Sequence, residues 1–335
     1  MKKIHIIGGG ITGCSLCYFL KNNFSISLYE REPHLGGLIR TYKTIENLLY
    51  QKVPSILHTN DKWICDLFSK AVNLKPIEYN VAIDPLFDFQ YYDFPFTDDS
   101  IQRLPWHWSE AIKMDLEKAK GQTANNLKQL IVNFYGETVY ELFYKNLFKK
   151  MYGLDASSLN VVNWFRQHLS SKRYYNEKYI VFPVNEGYNN LFDFLTDSVD
   201  VHLNSEVYYT DFNDDIVIFT GYLRDVEYAY ISFDIDSVYS LKENKPDRIY
   251  YPNYTPYYSI TNYQKLFGGE KVVIVKESGE KEHIAGPIPK KSIIDIKENI
   301  YFAGRQGSYS FMDIADCVKQ ANKIATEIKI KERVR

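Results

Sequence analysis

The chain has 335 residues, 24% of them charged, and a formal net charge of −2. That length supports a large core divided into two or three subdomains. No apolar run reaches the length of a bilayer span, so a soluble, cytoplasmic protein with no membrane partner is expected. Near-neutral charge gives no field for nonspecific nucleic-acid binding, and four cysteines make no disulfide framework.

The chain opens with an apolar run, Ile4-His5-Ile6-Ile7, followed by Gly8-Gly9-Gly10-Ile11-Thr12-Gly13. A second run, Ile26-Ser27-Leu28-Tyr29, ends at Glu30. Strand, glycine turn, helix, strand and acid in this order hold the ADP half of a dinucleotide. Gly8 permits the tight turn, Gly10 lets the backbone approach a pyrophosphate, and Gly13 lets the helix sit close on the strand. The helix amino end offers N–H groups and a favourable dipole to the phosphates. Glu30 stands where a carboxylate accepts the ribose hydroxyls. Arg31 follows it, and the Gly36-Gly37-Leu38 turn then extends the motif as FAD proteins do and NAD enzymes generally do not. FAD is therefore the expected cofactor, with Arg31, Gly37 and Leu38 in its site. Cys14 and Cys17 form a C-x-x-C inside this motif and read as core packing. No cysteine or histidine cluster has metal-ligand spacing, so no metal is expected.

Asn60-Asp61 predicts a capped helix to about Asn73, and Val81 to Phe96 alternates like a hairpin. Residues 100–172 read as helical with a break near Gly136, and their recurring Leu, Ile and Phe residues read as core. Strands are expected at Tyr179–Val184, Val201–Val207, Ile216–Gly221 and Ile300–Arg305. A helix over Leu191–Leu195, an antiparallel sheet over 226–285 and a long helix over Asp313–Ile328 complete the pattern. Thr220, and Gly304 and Arg305 at the end of the last strand, face the cleft in such an architecture. The last helix begins at Met312-Asp313, and its amino end is expected to stabilise negative charge on the flavin.

Taken together, GGGITG with LGGLIRT, LHTNDKW at 57–63, DFPF at 93–96 and KKMYG at 149–153 resemble the flavin-dependent UDP-galactopyranose mutases. YYNEKYIVFPVNEGYNNL at 174–191, IFTG at 218–221 and IYFAGRQGSYSFMD at 300–313 extend the resemblance over nearly the whole chain. It implies an α/β fold: a Rossmann-like FAD-binding domain, an inserted helical domain and a twisted antiparallel β-sheet domain. The expected boundaries are 1–80, 186–225 and 290–335 for the FAD domain and 97–172 for the helical insert. Residues 81–96, 173–185 and 226–289 would form the sheet.

The activity implied is pyranose/furanose isomerisation of a nucleotide sugar. Reduced FAD attacks the anomeric carbon, the nucleotide leaves, and the sugar ring opens and recloses. An external reductant such as NAD(P)H is implied as a partner, and a homo-oligomer is left open. On this template Arg166 falls on a phosphate-contacting arginine and, with His58, is the implied catalytic pair. Tyr152 stands in place of a uracil-stacking tryptophan, and Tyr174 and Tyr175 match an aromatic pair beside the substrate. The departures lie in the phosphate contacts. Ser259 stands where a second arginine is expected, and Leu147 and Met312 replace tyrosines. Ser55 replaces a histidine, and 286–288 lacks a tyrosine. A non-standard sugar or nucleotide is implied, with Lys172, Arg173 or Arg248 as compensating cations.

Plainer readings stand beside these. Arg166 pairs with a carboxylate, Tyr152 fills core, and His58 is a structural hydrogen bonder. Two further functions remain open: an FAD oxidase, dehydrogenase or lyase acting on an amine or modified nucleoside, and a non-catalytic flavoprotein.

Overall fold

A computed structural model describes residues 2–87, 90–119, 123–160, 175, 177–212, 215–223, 228–239, 246–287 and 299–333. They fall into two compact units, each built from separate stretches of chain. The first comprises Met1–Ile77, Glu177–Val226 and Ser292–Arg335; the second comprises Glu78–Asn176 and Glu227–Lys291.

The first unit begins with β1 (Lys3–Ile7), α1 (Ile11–Leu20) and β2 (Ser25–Tyr29), then the β3–β4 hairpin (Thr41–Lys43, Leu49–Gln51). Next come β5 (Leu57–Thr59), α2 (Lys62–Phe68) and β6 (Lys75–Pro76). The chain later returns through β9 (Tyr179–Phe182), α8 (Asn189–Leu195), β10 (Asp200–His202) and β11 (Ile216–Phe219). It ends with β16 (Ile300–Phe302), α10 (Gly304–Gly307) and α11 (Ile314–Arg333). Five strands form a parallel sheet in the order β10-β2-β1-β11-β16. Every residue of β11 is buried between β1 and β16, which is why it reads as an unbroken apolar run. α1 is apolar on nearly all sides because it packs on α8 and α11 as well as on β1 and β2.

The described residues of the second unit carry β7 (Val81–Ile83), β8 (Tyr92–Asp93), α3 (Asp98–Arg103), α4 (Trp106–Ala119), α5 (Leu127–Tyr135), α6 (Glu137–Val139) and α7 (Lys145–Tyr152). β12 (Tyr228–Tyr239), β13 (Arg248–Tyr250), β14 (Ser259–Asn262), α9 (Gln264–Phe267) and β15 (Lys271–Pro287) follow. Its six-stranded sheet runs β12-β15-β14-β13-β7-β8, antiparallel except for the β13–β7 pair. Sequence signals set the helix ends. The Thr97 side chain caps α3 and the Asn126 side chain caps α5, each accepting a backbone N–H three residues on. α5 stops at Gly136, whose φ of +89° suits a residue without Cβ. Leu127, Ile131, Phe143 and Leu147 are fully buried, as their spacing indicates.

Three expectations shift. The helix after Asp61 ends at Phe68, well short of Asn73. Asn73 instead donates its N–H to Glu186 Oε1 at 2.6 Å as the chain extends into β6. The strand expected over 201–207 stops at His202. Asn204 turns left-handed there (φ +53°), and Asn204 and Ser205 donate their N–H groups to the carbonyls of Glu32 and Glu30. Tyr179–Phe182, assigned from sequence to the large antiparallel sheet, pairs with β5 and β6 in the first unit.

Candidate active site

In the first unit β1 delivers the chain into the glycine turn. Gly8 adopts φ +104° and donates its N–H to Tyr29 O at 2.8 Å, closing the turn onto β2. A Cβ on Gly13 would lie 1.9 Å from Gly8 O, so α1 sits on the turn as closely as backbone permits. A Cβ on Gly10 would meet nothing within 4 Å. The turn is therefore open at the one position where a phosphate must approach. α1 has no side-chain N-cap and no acid in its first turn, which leaves its amino end fit for an anion. The second glycine turn is tied to the first: Gly36 donates its N–H to Gly9 O at 2.8 Å, and Gly36 bridges Gly10.

Glu30 is almost buried, and its two carboxylate oxygens accept the N–H groups of Gly9 (2.6 Å) and Glu32 (2.9 Å). Those bonds fix the carboxylate at the end of β2 and leave its remaining lone pairs for ribose hydroxyls. Arg31 stacks its guanidinium over the Tyr222 ring at 4.9 Å. Thr220 has a role that its sequence position does not disclose. Its hydroxyl lies 2.9 Å from Ile7 O and 3.1 Å from Gly8 O, so it locks the glycine turn from the neighbouring strand. Leu38 sits half-buried in the short turn after Gly37. Cys14 and Cys17 are both buried, and burial pushes both thiols up, as core packing requires. These residues fit a dinucleotide such as FAD.

The same unit collects the residues expected beside the flavin. His58, on β5, has Nδ1 3.2 Å from Glu177 Oε1 and Nε2 3.9 Å from Asp313 Oδ2. Gly304 donates its N–H to Gln320 Oε1 at 2.6 Å, and the Arg305 guanidinium rests 4.3 Å over the Phe311 ring. Met312 is half-buried. The start of the last helix corrects one expectation. Asp313 Oδ1 caps α11 by accepting the Asp316 N–H at 2.7 Å, and Asp316 adds a second carboxylate to the first turn. This helix end is already answered by negative charge and is poorly suited to stabilise more. Ser55 holds the 51–55 turn, its N–H on Gln51 Oε1 and its hydroxyl on Val53 O. Glu177 was not anticipated: it lies inside the 174–191 stretch, where nothing in the sequence singles it out.

In the second unit Tyr152 is half-buried and stacks on Phe148 with centroids 6.3 Å apart. Tyr175 lies 6.4 Å from the Tyr79 ring. Ser259 corrects its assignment to the substrate. It has no exposed surface and accepts a 3.0 Å hydrogen bond from Arg248 Nη2, which also pairs with Glu277 Oε2 at 2.7 Å. Arg248 is thereby spent inside the sheet and does not compensate for a missing surface cation. Leu147 is likewise fully buried. Lys150 donates to Tyr251 O, Thr255 Oγ1 and Tyr257 O, and burial lowers its ammonium to about 8. Arg166, Lys172, Arg173 and Tyr174 lie outside the described residues. Among the described residues no group of three or more metal-ligating side chains could hold an ion. No described helix is long and apolar enough to cross a membrane.

The profile of NAD(P)-binding Rossmann-like domains matches residues 6–71. The chain is 24% identical to the dTDP-fucopyranose mutase of Escherichia coli, covering 97% of this chain and 98% of that one. It is 21% identical to a probable UDP-galactopyranose mutase of Klebsiella pneumoniae, covering 97% and 94%. The crystal structure of reduced UDP-galactopyranose mutase superposes with a TM-score of 0.81 at 14% identity, over 98% of this chain and 95% of that one. Over its full length the chain resembles the nucleotide-sugar mutases and shares the UDP-galactopyranose mutase fold. Putrescine oxidase shares the fold less closely, with a TM-score of 0.61 at 12% identity over 98% and 99% of the two chains. The α/β architecture, with a dinucleotide-type Rossmann domain and a separate antiparallel sheet, is common ground with these proteins.

Proposed function

We propose that the chain is a flavin-dependent mutase that interconverts the pyranose and furanose forms of a nucleotide sugar, using FAD in its reduced form. The observation that carries this reading is full-length similarity to two nucleotide-sugar mutases on one side. On the other stands a glycine cradle open at Gly10 and closed everywhere else. When bound, reduced FAD supplies a nucleophilic nitrogen for the anomeric carbon.

The protein's own residues divide the remaining work. The uncapped amino end of α1 and the paired turns at Gly8–Gly10 and Gly36–Gly37 hold the pyrophosphate; Glu30 and Arg31 hold the adenosine end. Thr220 keeps the first turn closed. Gly304 and Arg305 line the strand end. Arg166 answers the charge of the departing diphosphate, which demands a planar cation in the transition state. Tyr152 stacks under the pyrimidine base, and Tyr174 and Tyr175 flank the sugar. NAD(P)H or another external donor reduces the cofactor.

The buried Ser259 removes one phosphate cation that the resemblance predicts, so the substrate is expected to differ from UDP-galactose. A dTDP-linked deoxysugar is the first substrate class to test. The test is anaerobic incubation of the dithionite-reduced protein with a panel of dTDP- and UDP-hexoses, read by chromatography and mass spectrometry. Furanose product from at least one dTDP-sugar, formed only by the reduced protein, is the expected result. No product from any member of the panel would overturn the proposal.

A second reading rests on the same loss of charge at position 259: an FAD oxidase or dehydrogenase acting on a small amine. Its signature is bleaching of bound FAD by an amine in stopped flow without added reductant.

A further inference from the structure

We propose that Glu177 is a positioning residue for His58, and that the Glu177–His58–Asp313 array forms one functional group of this enzyme. The three side chains come from segments far apart in sequence. His58 is on β5, Glu177 lies two residues before β9, and Asp313 immediately precedes α11. Each is mostly sheltered, with 17–20% of its side chain exposed.

The backbone brings Glu177 to the ring. β5 and β9 pair antiparallel with His58 opposite Ile180 and Thr59 opposite Tyr179. Beyond that pair the Lys178 N–H donates to Asn60 Oδ1 at 2.9 Å, which fixes the chain at the residue next to Glu177. A second tie, Lys319 Nζ to Asp61 Oδ2 at 2.6 Å, holds α11 against the same turn. His58 thus stands where three segments meet, with one carboxylate near each ring nitrogen at 3.2 and 3.9 Å.

This constellation has a chemical consequence. Two carboxylates this close bias the orientation of an imidazole through charge, the Glu177 oxygen at 3.2 Å from Nδ1 being the nearer and neither contact having hydrogen-bond geometry. Asp313 is held in place by capping α11, so it is a fixed negative charge on the Nε2 side of the ring. Glu177 is the nearer of the two, and in sequence it belongs to the stretch that carries Tyr174 and Tyr175.

The inference rests on the mutase reading for its purpose. In the isomerisation the bond from C1 to the ring oxygen breaks and that oxygen gains a proton. The bond from C1 to the O4 oxygen then forms and that hydroxyl loses a proton. The sum is neutral in protons and electrons, so the site needs a group that holds one proton and returns it. His58 is that group, and Glu177 acts through it. Loss of the Glu177 charge removes the carboxylate nearest Nδ1 and shifts the balance between the two sides of the ring.

The test uses the FAD-loaded protein with 15N-labelled histidine, the His58 ring signals being assigned by their loss in His58→Gln. Glu177→Gln is expected to shift both ring-nitrogen signals of His58, and Glu177→Asp to restore them in part. With reduced enzyme and a turned-over sugar nucleotide, Glu177→Gln is expected to lower kcat at least about tenfold with KM within about threefold. Glu177→Asp should recover part of that loss. If His58 signals do not move in Glu177→Gln, the inference is overturned whatever the activity. If KM rises while kcat is unchanged, Glu177 serves substrate binding and the inference is again overturned. If the signals move but the wild-type protein turns over no sugar nucleotide, the positioning contact stands and the mutase reading falls.

Discussion

Placing one methyl group at Gly10 and another at Gly13 should separate cofactor binding from folding. At Gly13 the added Cβ meets Gly8 O at 1.9 Å, a backbone atom that no side-chain rotation relieves. Overpacking of this kind costs about 1–3 kcal/mol, which lowers Tm by roughly 1–4 °C in a chain of this size. At Gly10 the methyl meets nothing within 4 Å, and the backbone (φ −74°, ψ −178°) is one that alanine adopts freely. The gain of about 0.4–1 kcal/mol from a stiffer unfolded chain is offset by the loss of a good N-cap residue. Gly10→Ala should therefore leave the melting temperature of the FAD-free protein within about 1 °C of wild type. Its methyl nevertheless occupies the approach of the pyrophosphate, so FAD affinity should fall at least about tenfold, or about 1.4 kcal/mol. Differential scanning fluorimetry of FAD-free protein and quenching of flavin fluorescence read the two quantities. The reasoning is refuted if Gly10→Ala destabilises the FAD-free protein as much as Gly13→Ala, or if it binds FAD as wild type does.

Three further outcomes follow from the packing. Glu277→Ala leaves the Arg248 guanidinium buried without its 2.7 Å partner, a loss of about 3–5 kcal/mol. The joint Arg248→Met, Glu277→Leu variant should recover most of it in urea titrations, and equal loss in both would contradict an ion-pair origin. Lys150 titrates near 8 when folded, below the ordinary lysine range, so the unfolded chain binds more protons above that pH. Its charged form opposes folding at neutral pH, and stability should rise from about pH 8 towards about 10.5 relative to a Lys150→Met variant. A flat difference between the two melting curves across that range would sink the assignment. Thr220→Val removes the hydroxyl that bridges Ile7 O and Gly8 O and should cost about 1–2 kcal/mol while weakening FAD binding. Unchanged Tm and affinity would show that the glycine turn does not depend on this lock.

The dinucleotide half was legible in the sequence because its requirements are local. A turn of positive φ, a close helix and a terminal acid each demand one residue type at one place, and Gly8, Gly13 and Glu30 meet them. Long-range pairing was less legible. Tyr179–Phe182 looks like any short apolar strand, and nothing in its composition chooses β5 over the larger sheet. The end of β10 depends on Asn204 turning left-handed so that the chain can bond to Glu30 and Glu32, contacts invisible to periodicity. Ser259 shows the limit of carrying a site across by alignment. Its position survives, but Arg248 and Glu277, from neighbouring strands, have closed over it. Glu177 escaped notice because its meaning lies in a strand register that brings 58 and 177 together.

The central claim is that the anomeric bond to the diphosphate opens and re-forms at a reduced flavin. Positional isotope exchange tests it directly, with a sugar nucleotide carrying 18O in the bridging position between sugar and diphosphate. The account predicts that label scrambles into the non-bridging oxygens with reduced, FAD-loaded protein and stays in place with the oxidised form. Label that remains in the bridge under both conditions, for dTDP- and UDP-sugars alike, would contradict it.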